Sequence, residues 1–380
     1  VNVLLLTSHP VAPPWNSGDT NLARTLIMGD TGVRYTFVGD RIDPTPWPTH
    51  HERAPLNFRK ALPTAREKSR IIRWLAMHPP QVDLIHAVIT FQASTFGQRM
   101  LMSLPAVRRR PMLITCPTGE VLPLELLRRA RATVVLSRRT ERALRQSGVS
   151  DVHRIPPGVD LRRFHPEPGS GAAAMLGLDS APTLLFAGHH DPGGGLDAAL
   201  EVAGKLRQRI PDLRLLVAMR LRPGEDPGQK GRELRAKAQA AGMGDPGAIV
   251  ELGAIANIRA AILASHAVLF QPSVLGIKME LPMTLLEALA CGRPVAISPL
   301  APLDEISDGS PAVTVADPDQ PVVVDHLERL FCDAEYFGDC SAAARELAED
   351  RYGADIMVSR YAELYREIAG TVAARARAAQ

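Results

Sequence analysis

The chain has 380 residues, room for two or three domains, and 46% of them are apolar, ample for real cores. Aromatic residues make up 4%, too few for the stacking platforms that hold single-stranded nucleic acid. No apolar run approaches the length needed to span a membrane. The net charge of +3 is unevenly spread: residues 1–165 hold 24 Lys and Arg against 12 Asp and Glu, giving +12, and the remainder holds 20 against 29, giving −9. Such asymmetry marks either a surface for an anionic partner or ordinary solvated helix faces. Arginine supplies 38 of the 44 basic residues, a usage that hints at GC-rich bacterial coding. The four cysteines (Cys116, Cys291, Cys332, Cys340) lack paired-ligand spacing, and two reduced thiols are expected at Cys332 and Cys340 rather than a disulfide.

In chain order, residues 1–6 predict a strand, since the apolar run is too short and lacks the basic flank of a signal peptide. A Pro-rich loop follows with one glycine, Gly18, and then a helix over 22–28. The dinucleotide pattern G-x-G-x-x-G is absent; Gly18 lets backbone approach a ligand closely, or serves a turn. A strand is expected at 35–38, a long loop at 40–57 and an amphipathic basic helix at 59–77. That helix either packs on the sheet or lies on an anionic membrane surface. A strand over 82–86 ends in His86. Ligands bind beyond the carboxyl ends of strands in doubly wound sheets, so His86 is a site candidate, with a buried structural histidine as the competing reading. A helix at 91–102, a strand at 112–115, a helix at 122–130 and a strand at 133–136 follow. Ser137 then caps a helix at 140–146, and a strand lies at 152–155.

Residues 166–181, rich in Pro, Gly and Ala, read as a linker. A second alternation then begins, with strands at 183–187, 214–218, 249–252, 267–270, 294–297 and 312–315. Helices fall at 196–209, 232–241, 258–264 and 283–290. The tail, 352–377, reads as a long helix. The expected organisation is a first domain over 1–165, a linker over 166–181, a second domain over 182–350 and a C-terminal helix over 351–380 packing back on the first domain. Two doubly wound domains would face a cleft, where ligand sites are common.

The most informative stretch is 276–298, an irregular loop, then a helix, then a strand. Pro282 suits the first helical turn, Gly292 the exit, and Pro294 bars continuation. Its polar exceptions are Lys278, Glu280 and Thr284 at the helix mouth and Glu287 one turn inside. Unpaired N–H groups and a partial positive charge at a helix start hold phosphate. An ordinary loop–helix–strand unit with solvated charges is the plain alternative.

Four stretches carry a likeness over almost the full length: the opening strand with its loop through Gly18; Thr133-Val-Val-Leu-Ser137 through Pro156-Pro-Gly-Val-Asp160 and Phe164; Leu185-Phe-Ala-Gly188; and Leu286-Glu-Ala-Leu-Ala-Cys-Gly-Arg-Pro-Val295. The second and fourth are specific. In these the chain resembles the GT-B glycosyltransferases of glycosyltransferase family 4. The resemblance implies an α/β fold of two Rossmann-like domains and a retaining transfer of sugar from a UDP- or GDP-linked donor to an acceptor hydroxyl, usually without a bound metal. The donor would sit mainly against the second domain and the acceptor against the first.

Carried over residue by residue, the family's pair of glutamates with seven residues between is half present. Glu287 matches the second, expected to accept hydrogen bonds from ribose hydroxyls, while Met279 stands where the first belongs. Glu280 or Lys278 would have to serve the sugar instead. Pro282 stands where the family has glycine, and the N–H groups of Met283 and Thr284 would meet the phosphates. After Gly188 the family's Arg and Lys are replaced, with His189 at the Arg position and Gly194 near the Lys position. Arg220 and Arg222, Lys278, and the N–H groups of the run Gly193–Gly195 are the replacements on offer for stabilising the leaving diphosphate. Cys116-Pro117-Thr118 follows the strand after which the family often has a histidine, and His86 on the neighbouring strand is the alternative. In such enzymes the leaving phosphate itself takes the acceptor's proton, so no glycosidase-type carboxylate pair is required.

The expected assignments are therefore Glu280, Arg220, Lys278 and His86 for catalysis. Gly18, Gly188, His189, Arg222, Met283, Thr284 and Glu287 would hold the donor, with no metal or other cofactor. The competing function is a GT-B protein that has lost transfer and serves as a nucleotide-sugar-binding or partner-activating subunit. Nucleic-acid binding through the basic half is a third class, disfavoured by the few aromatics. The acceptor reads as an anionic lipid-linked molecule or a small natural-product aglycone, and the location as cytoplasmic with peripheral membrane contact left open.

Overall fold

The computed structural model describes the chain except residues 14, 16, 41, 42, 44, 57–64, 78–80, 92–109, 179, 180, 190–192, 222–224, 254–257, 277, 379 and 380. Two compact units result: one of Val1–Gly158, Ile277–Glu280 and Ala354–Gln380, the other of Val159–Gly276 and Leu281–Gly353.

In the first unit seven strands, β1 (Asn2–Thr7), β2 (Arg34–Asp40), β3 (Glu52–Leu56), β4 (Leu84–Val88), β5 (Met112–Cys116), β6 (Ala132–Val135) and β7 (Val152–Arg154), pair in parallel in the order β3-β2-β1-β4-β5-β6-β7. Parallel strands covered on both faces read as continuous apolar runs, as Val3–Leu6 does. Helices α1 (Gly18–Met28), α2 (Ala65–Met77), α3 (Leu124–Arg129) and α4 (Arg138–Gln146) supply the connections. Ser137 caps α4, its hydroxyl accepting the Thr140 N–H as expected. Leu4, Ile85, Phe91, Ile114, Val135 and Leu144 form one buried cluster.

Two expectations are corrected here. Residues 40–57 are not one loop, because β3 lies within them. Pro55 argues against a central strand, but β3 is an edge strand, where proline is tolerated. His86 does not end its strand, since β4 runs two residues further. It is fully buried, with Nδ1 2.7 Å from the Tyr365 hydroxyl and Nε2 2.7 Å from the Thr115 hydroxyl, which in turn lies 3.0 Å from the Tyr361 hydroxyl. This satisfied network fastens the C-terminal helix (Ala354–Ala378) to β4 and β5. The same helix brings Val358 so close to Gly29 that a Cβ there would stand 2.4 Å from a valine methyl. Most of the helix expected at 91–102 lies outside the described residues.

The second unit repeats the plan. Strands β8 (Thr183–His189), β9 (Arg214–Arg220), β10 (Ile249–Glu251), β11 (Ala267–Phe270), β12 (Val295–Ile297) and β13 (Val313–Val315) pair in parallel in the order β10-β9-β8-β11-β12-β13. Its helices are α5 (Ala172–Met175), α6 (Leu196–Arg207), α7 (Pro227–Ala240), α8 (Ile258–Ala264), α9 (Met283–Ala290), α10 (Pro321–Cys332) and α11 (Ala334–Arg351). Within the span 166–181 expected as a linker, described residues pack into this unit: α5 lies on α8, and Glu167 pairs with Arg259. The helices α10 and α11 were not anticipated. The second packs on α9, with the Arg345 guanidinium donating to the Phe164 carbonyl at 2.9 Å and the Ala290 carbonyl at 2.8 Å. All four cysteines carry free thiols. Among the described residues no helix is long and apolar enough to cross a membrane.

Candidate functional site

Ligands of open parallel sheets bind beyond the carboxyl ends of the strands where the strand order reverses. In the second unit that point lies between β8 and β11. Three loops are laced together there. The Ser273 N–H donates to the Gly193 carbonyl at 2.9 Å, and the Ser298 hydroxyl donates to the Pro272 carbonyl at 2.7 Å. Gly195 has φ +98°, and a Cβ on it would lie 3.0 Å from the backbone of Gln271 and Pro272. No other residue fits without moving the chain. Gln271, 3% exposed, closes β11 with both its amide oxygen and its amide nitrogen lacking a hydrogen-bond partner. A buried amide left this way costs about 1–3 kcal/mol, so a ligand that supplies both partners recovers that energy on binding.

Helix α9 begins beside this chain segment in sequence, and no side chain caps it. Pro282 is its N-cap (φ −62°, ψ 128°), one position earlier than the first-turn placement expected from sequence. Met283 and Thr284 are half-buried at the start. Glu287, one turn on, is also half-buried. Burial pushes its carboxyl up to about 7, against a smaller downward pull from Arg163. An uncapped helix start and a desolvated carboxylate on the same helix suit a phosphate and a hydroxyl donor respectively. Gly188 is half-buried on β8, where a Cβ would meet the Phe186 ring at 2.8 Å. His189 and Arg220 end β8 and β9, so their backbones lie at the carboxyl ends, but their side chains are outside the described set, as is Arg222 altogether.

In the first unit the order reverses between β1 and β4. The loop after β1 carries a polar cluster. The buried Asp19 carboxylate accepts the Ser8 N–H at 3.1 Å, lies 3.1 Å from His9 Nδ1, and accepts the Ser17 hydroxyl. Gly18, the first residue of α1, faces Met279, whose terminal methyl would stand 2.6 Å from a Cβ on the glycine. The thioether thus covers the glycine expected to approach a ligand. Glu280, 3% exposed, accepts the Thr140 hydroxyl and donates its N–H to the Pro117 carbonyl at 3.1 Å. Lys278 is half-buried in the same segment. A Cβ on Gly119 would strike both Glu280 and Thr140. His86 belongs to none of this; burial pulls its imidazole down to about 3, so it is neutral in the core at working pH.

Gly188, Met283, Thr284 and Glu287 thus belong to the second unit, and Gly18, Lys278 and Glu280 to the first. Sequence reasoning missed Gln271, His9 with Asp19, and Thr140. The signals existed: a lone amide ends the apolar run Ala-Val-Leu-Phe, and His9 stands just past β1, where the strand-end rule applied to His86 would have found it. Among the described residues no group of three His, Cys, Asp or Glu side chains converges as a metal site requires.

Comparison with known proteins shows what this geometry is similar to. Residues 181–333 match the model of the family Glycosyl transferases group 1. The matched span runs from just before β8 to the end of α10 and includes Gly188, Gln271, Met283, Thr284 and Glu287. A D-inositol 3-phosphate glycosyltransferase of Saccharomonospora viridis is 29% identical over 231 residues, 58% of this chain and 52% of the relative. The chain thus spans about half the length of that relative. Among solved structures, a sucrose-phosphate synthase from Thermosynechococcus elongatus superposes with a TM-score of 0.77 at 18% identity, covering 98% of this chain and 100% of that one. Anabaena HepE in complex with UDP and glucose gives 0.70 at 15% identity, covering 96% and 98%. These likenesses are of fold, and the fold is that of the GT-B glycosyltransferases.

Proposed function

We propose that the chain is a glycosyltransferase that moves a sugar from a nucleoside-diphosphate donor, UDP- or GDP-linked, to an acceptor hydroxyl. The observation that carries this reading is Glu287, desolvated one turn inside the uncapped start of α9, within the span that matches the group 1 family. In this reading the Glu287 carboxylate accepts the ribose hydroxyls. The Met283 and Thr284 N–H groups meet the diphosphate, Arg220 and Arg222 add positive charge as it leaves, and the loop of Gly193 and Gly195 presents Gln271 to the donor. The first unit takes the acceptor. Its positive charge favours an anionic polyol or lipid-linked phosphate in cell-envelope or natural-product glycoside synthesis, and the inositol phosphate in the name of the Saccharomonospora viridis relative is of that class. Retention of anomeric configuration follows the family resemblance of residues 276–298. Glu280 acts as a positioning group in this proposal, because its carboxylate is engaged by Thr140.

Titration of the full chain with UDP and GDP, followed by product analysis with their glucose and mannose conjugates, tests the reading. Binding with release of free nucleoside diphosphate supports transfer. Binding with the donor recovered intact points instead to a nucleotide-sugar-binding subunit, the outcome that Met279 in place of a carboxylate would favour.

A further inference from the structure

Gln271 carries a penalty that packing does not offset. It is 3% exposed, and neither its amide oxygen nor its amide nitrogen has a hydrogen-bond partner among the described residues. Buried side-chain amides are nearly always satisfied. The four residues before it, Ala267 to Phe270, are all apolar and buried, and an apolar side chain at 271 would continue that run without the penalty.

A second feature lies against it. Helix α6 starts at Gly195, its N-cap in the left-handed conformation, and no side chain caps it. The first N–H groups of a helix have no partner within it and carry partial positive charge. Gly194, Gly195 and Leu196 are buried, which keeps this helix start from bulk water. The one acidic residue of the first turn, Asp197, is exposed and pairs with Lys237 Nζ at 2.6 Å. Gly195 and Gln271 meet backbone to backbone, the contact that excludes a Cβ from the glycine. They follow the paired strands β8 and β11, between which the strand order reverses, and both belong to the second unit.

The chemistry of a ligand follows from these groups. Helix N–H groups and an amide NH2 call for an anion. The amide oxygen calls for a hydrogen-bond donor, which an ionised phosphate lacks. The two amide atoms share one carbon, so the ligand groups that meet them must also be neighbours. A glycosyl phosphate offers such a pair: a phosphate oxygen, and the hydroxyl on the carbon next to the anomeric carbon. We infer that Gln271, with the start of α6, binds the distal phosphate of the donor and reads the C2 hydroxyl of its sugar, an assignment that rests on the transferase reading above. Nε2 donates to the phosphate oxygen, and Oε1 accepts from the hydroxyl. Glu287 and the start of α9 then hold the ribose and the phosphate next to it, so each helix start takes one of the two phosphates. Both amide atoms are shielded from solvent, so the Gly193–Gly195 segment shifts to admit the donor. Gly193 and Gly195, both at positive φ, give it that freedom.

The test titrates the full chain with UMP, UDP, UDP-glucose and UDP-2-deoxyglucose, or with the guanosine set built on mannose where wild type prefers that base. Gln271→Leu removes both polar atoms, and a melt no lower than wild type shows that it is folded. Its Kd for UMP should stay within about twofold of wild type, while its Kd for UDP should rise by about 10- to 100-fold, the worth of a hydrogen bond to a charged group. Wild type should bind UDP-glucose about 3- to 10-fold tighter than the 2-deoxy analogue, the worth of one neutral hydrogen bond, and the variant should bind the two alike. A merely structural role would move all these ligands together. Gln271→Glu, which keeps an acceptor but loses the donor, should bind UDP more weakly still. UDP binding by Gln271→Leu equal to wild type, an equal loss for UMP and UDP, or a preference for the C2 hydroxyl that survives in the variant overturns the assignment and leaves the transferase reading standing. Failure of the wild-type chain to bind any nucleoside diphosphate overturns the transferase reading, and the role of Gln271 with it.

Discussion

Glu287 gives the sharpest quantitative expectation. A carboxyl held up to about 7 must ionise before it can accept two ribose hydroxyls, so nucleotide binding should weaken as pH falls through that value. With a midpoint near 7, about nine-tenths of the group is ionised at pH 8 and about one-thirtieth at pH 5.5. The affinity ratio between these conditions is then about 30-fold, or about 2 kcal/mol. The terminal phosphate of UDP also titrates near pH 6, so Glu287→Gln, which cannot titrate, supplies the baseline. Calorimetric titration with UDP at both pH values should show the wild-type ratio exceeding that of the variant by about 30-fold. The same shift has a stability consequence of opposite sense. A carboxyl whose folded-state value is raised contributes stability that is present at pH 4 and lost as pH rises through 7. Thermal melts of the ligand-free chain should therefore show wild type losing ground to Glu287→Gln between pH 5 and pH 8. Equal UDP ratios for the two proteins, or UDP binding by Glu287→Gln at pH 8 as tight as wild type, would refute the ribose assignment.

Other outcomes follow from particular contacts. His86 is held down to about 3 by burial, so its contribution to stability is intact above about pH 6.5 and is lost as pH falls towards 3; urea unfolding of His86→Gln should show a flatter acid limb than wild type, with UDP affinity unchanged. Glu280→Ala removes the acceptor of the buried Thr140 hydroxyl and should destabilise the first unit by about 1–3 kcal/mol in denaturant melts. Gly204→Ala would place a Cβ 1.8 Å from the Ala241 carbonyl oxygen, a backbone atom that cannot swing aside, and should lower Tm severely or prevent folding. Gly18→Ala meets only the flexible tip of Met279, and its melt should stay close to wild type. Gln271→Leu removes an unsatisfied buried amide; it should melt no lower than wild type while weakening nucleotide binding.

The fold was legible because both sheets are parallel and buried. Runs such as Val-Leu-Leu-Leu and Ala-Val-Leu-Phe, separated by helical spacing, leave few other topologies. The helix α9 spans 283–290 as expected, with its proline at the N-cap rather than in the first turn. What escaped depended on tertiary position. Edge strand β3 contains Pro55, which denies it a strand signal, and only its place at the margin of the sheet makes that proline harmless. His86 carried the same local signature as a strand-end site residue, yet two further residues of β4 and two tyrosines about 280 positions away in sequence turned it into core. The Glu280 carboxylate reads as solvent-facing from its neighbours, and Thr140, far off in sequence, claims it. Asp19 and His9 are ten residues apart across a Pro-rich loop whose path no periodicity reveals.

Incubation of the full chain with a panel of UDP- and GDP-sugars and an inositol phosphate, read by mass spectrometry, tests the transferase reading most directly. It predicts that one donor yields free nucleoside diphosphate together with an acceptor bearing the donated sugar. Recovery of every donor intact, with no glycosylated acceptor, would contradict it.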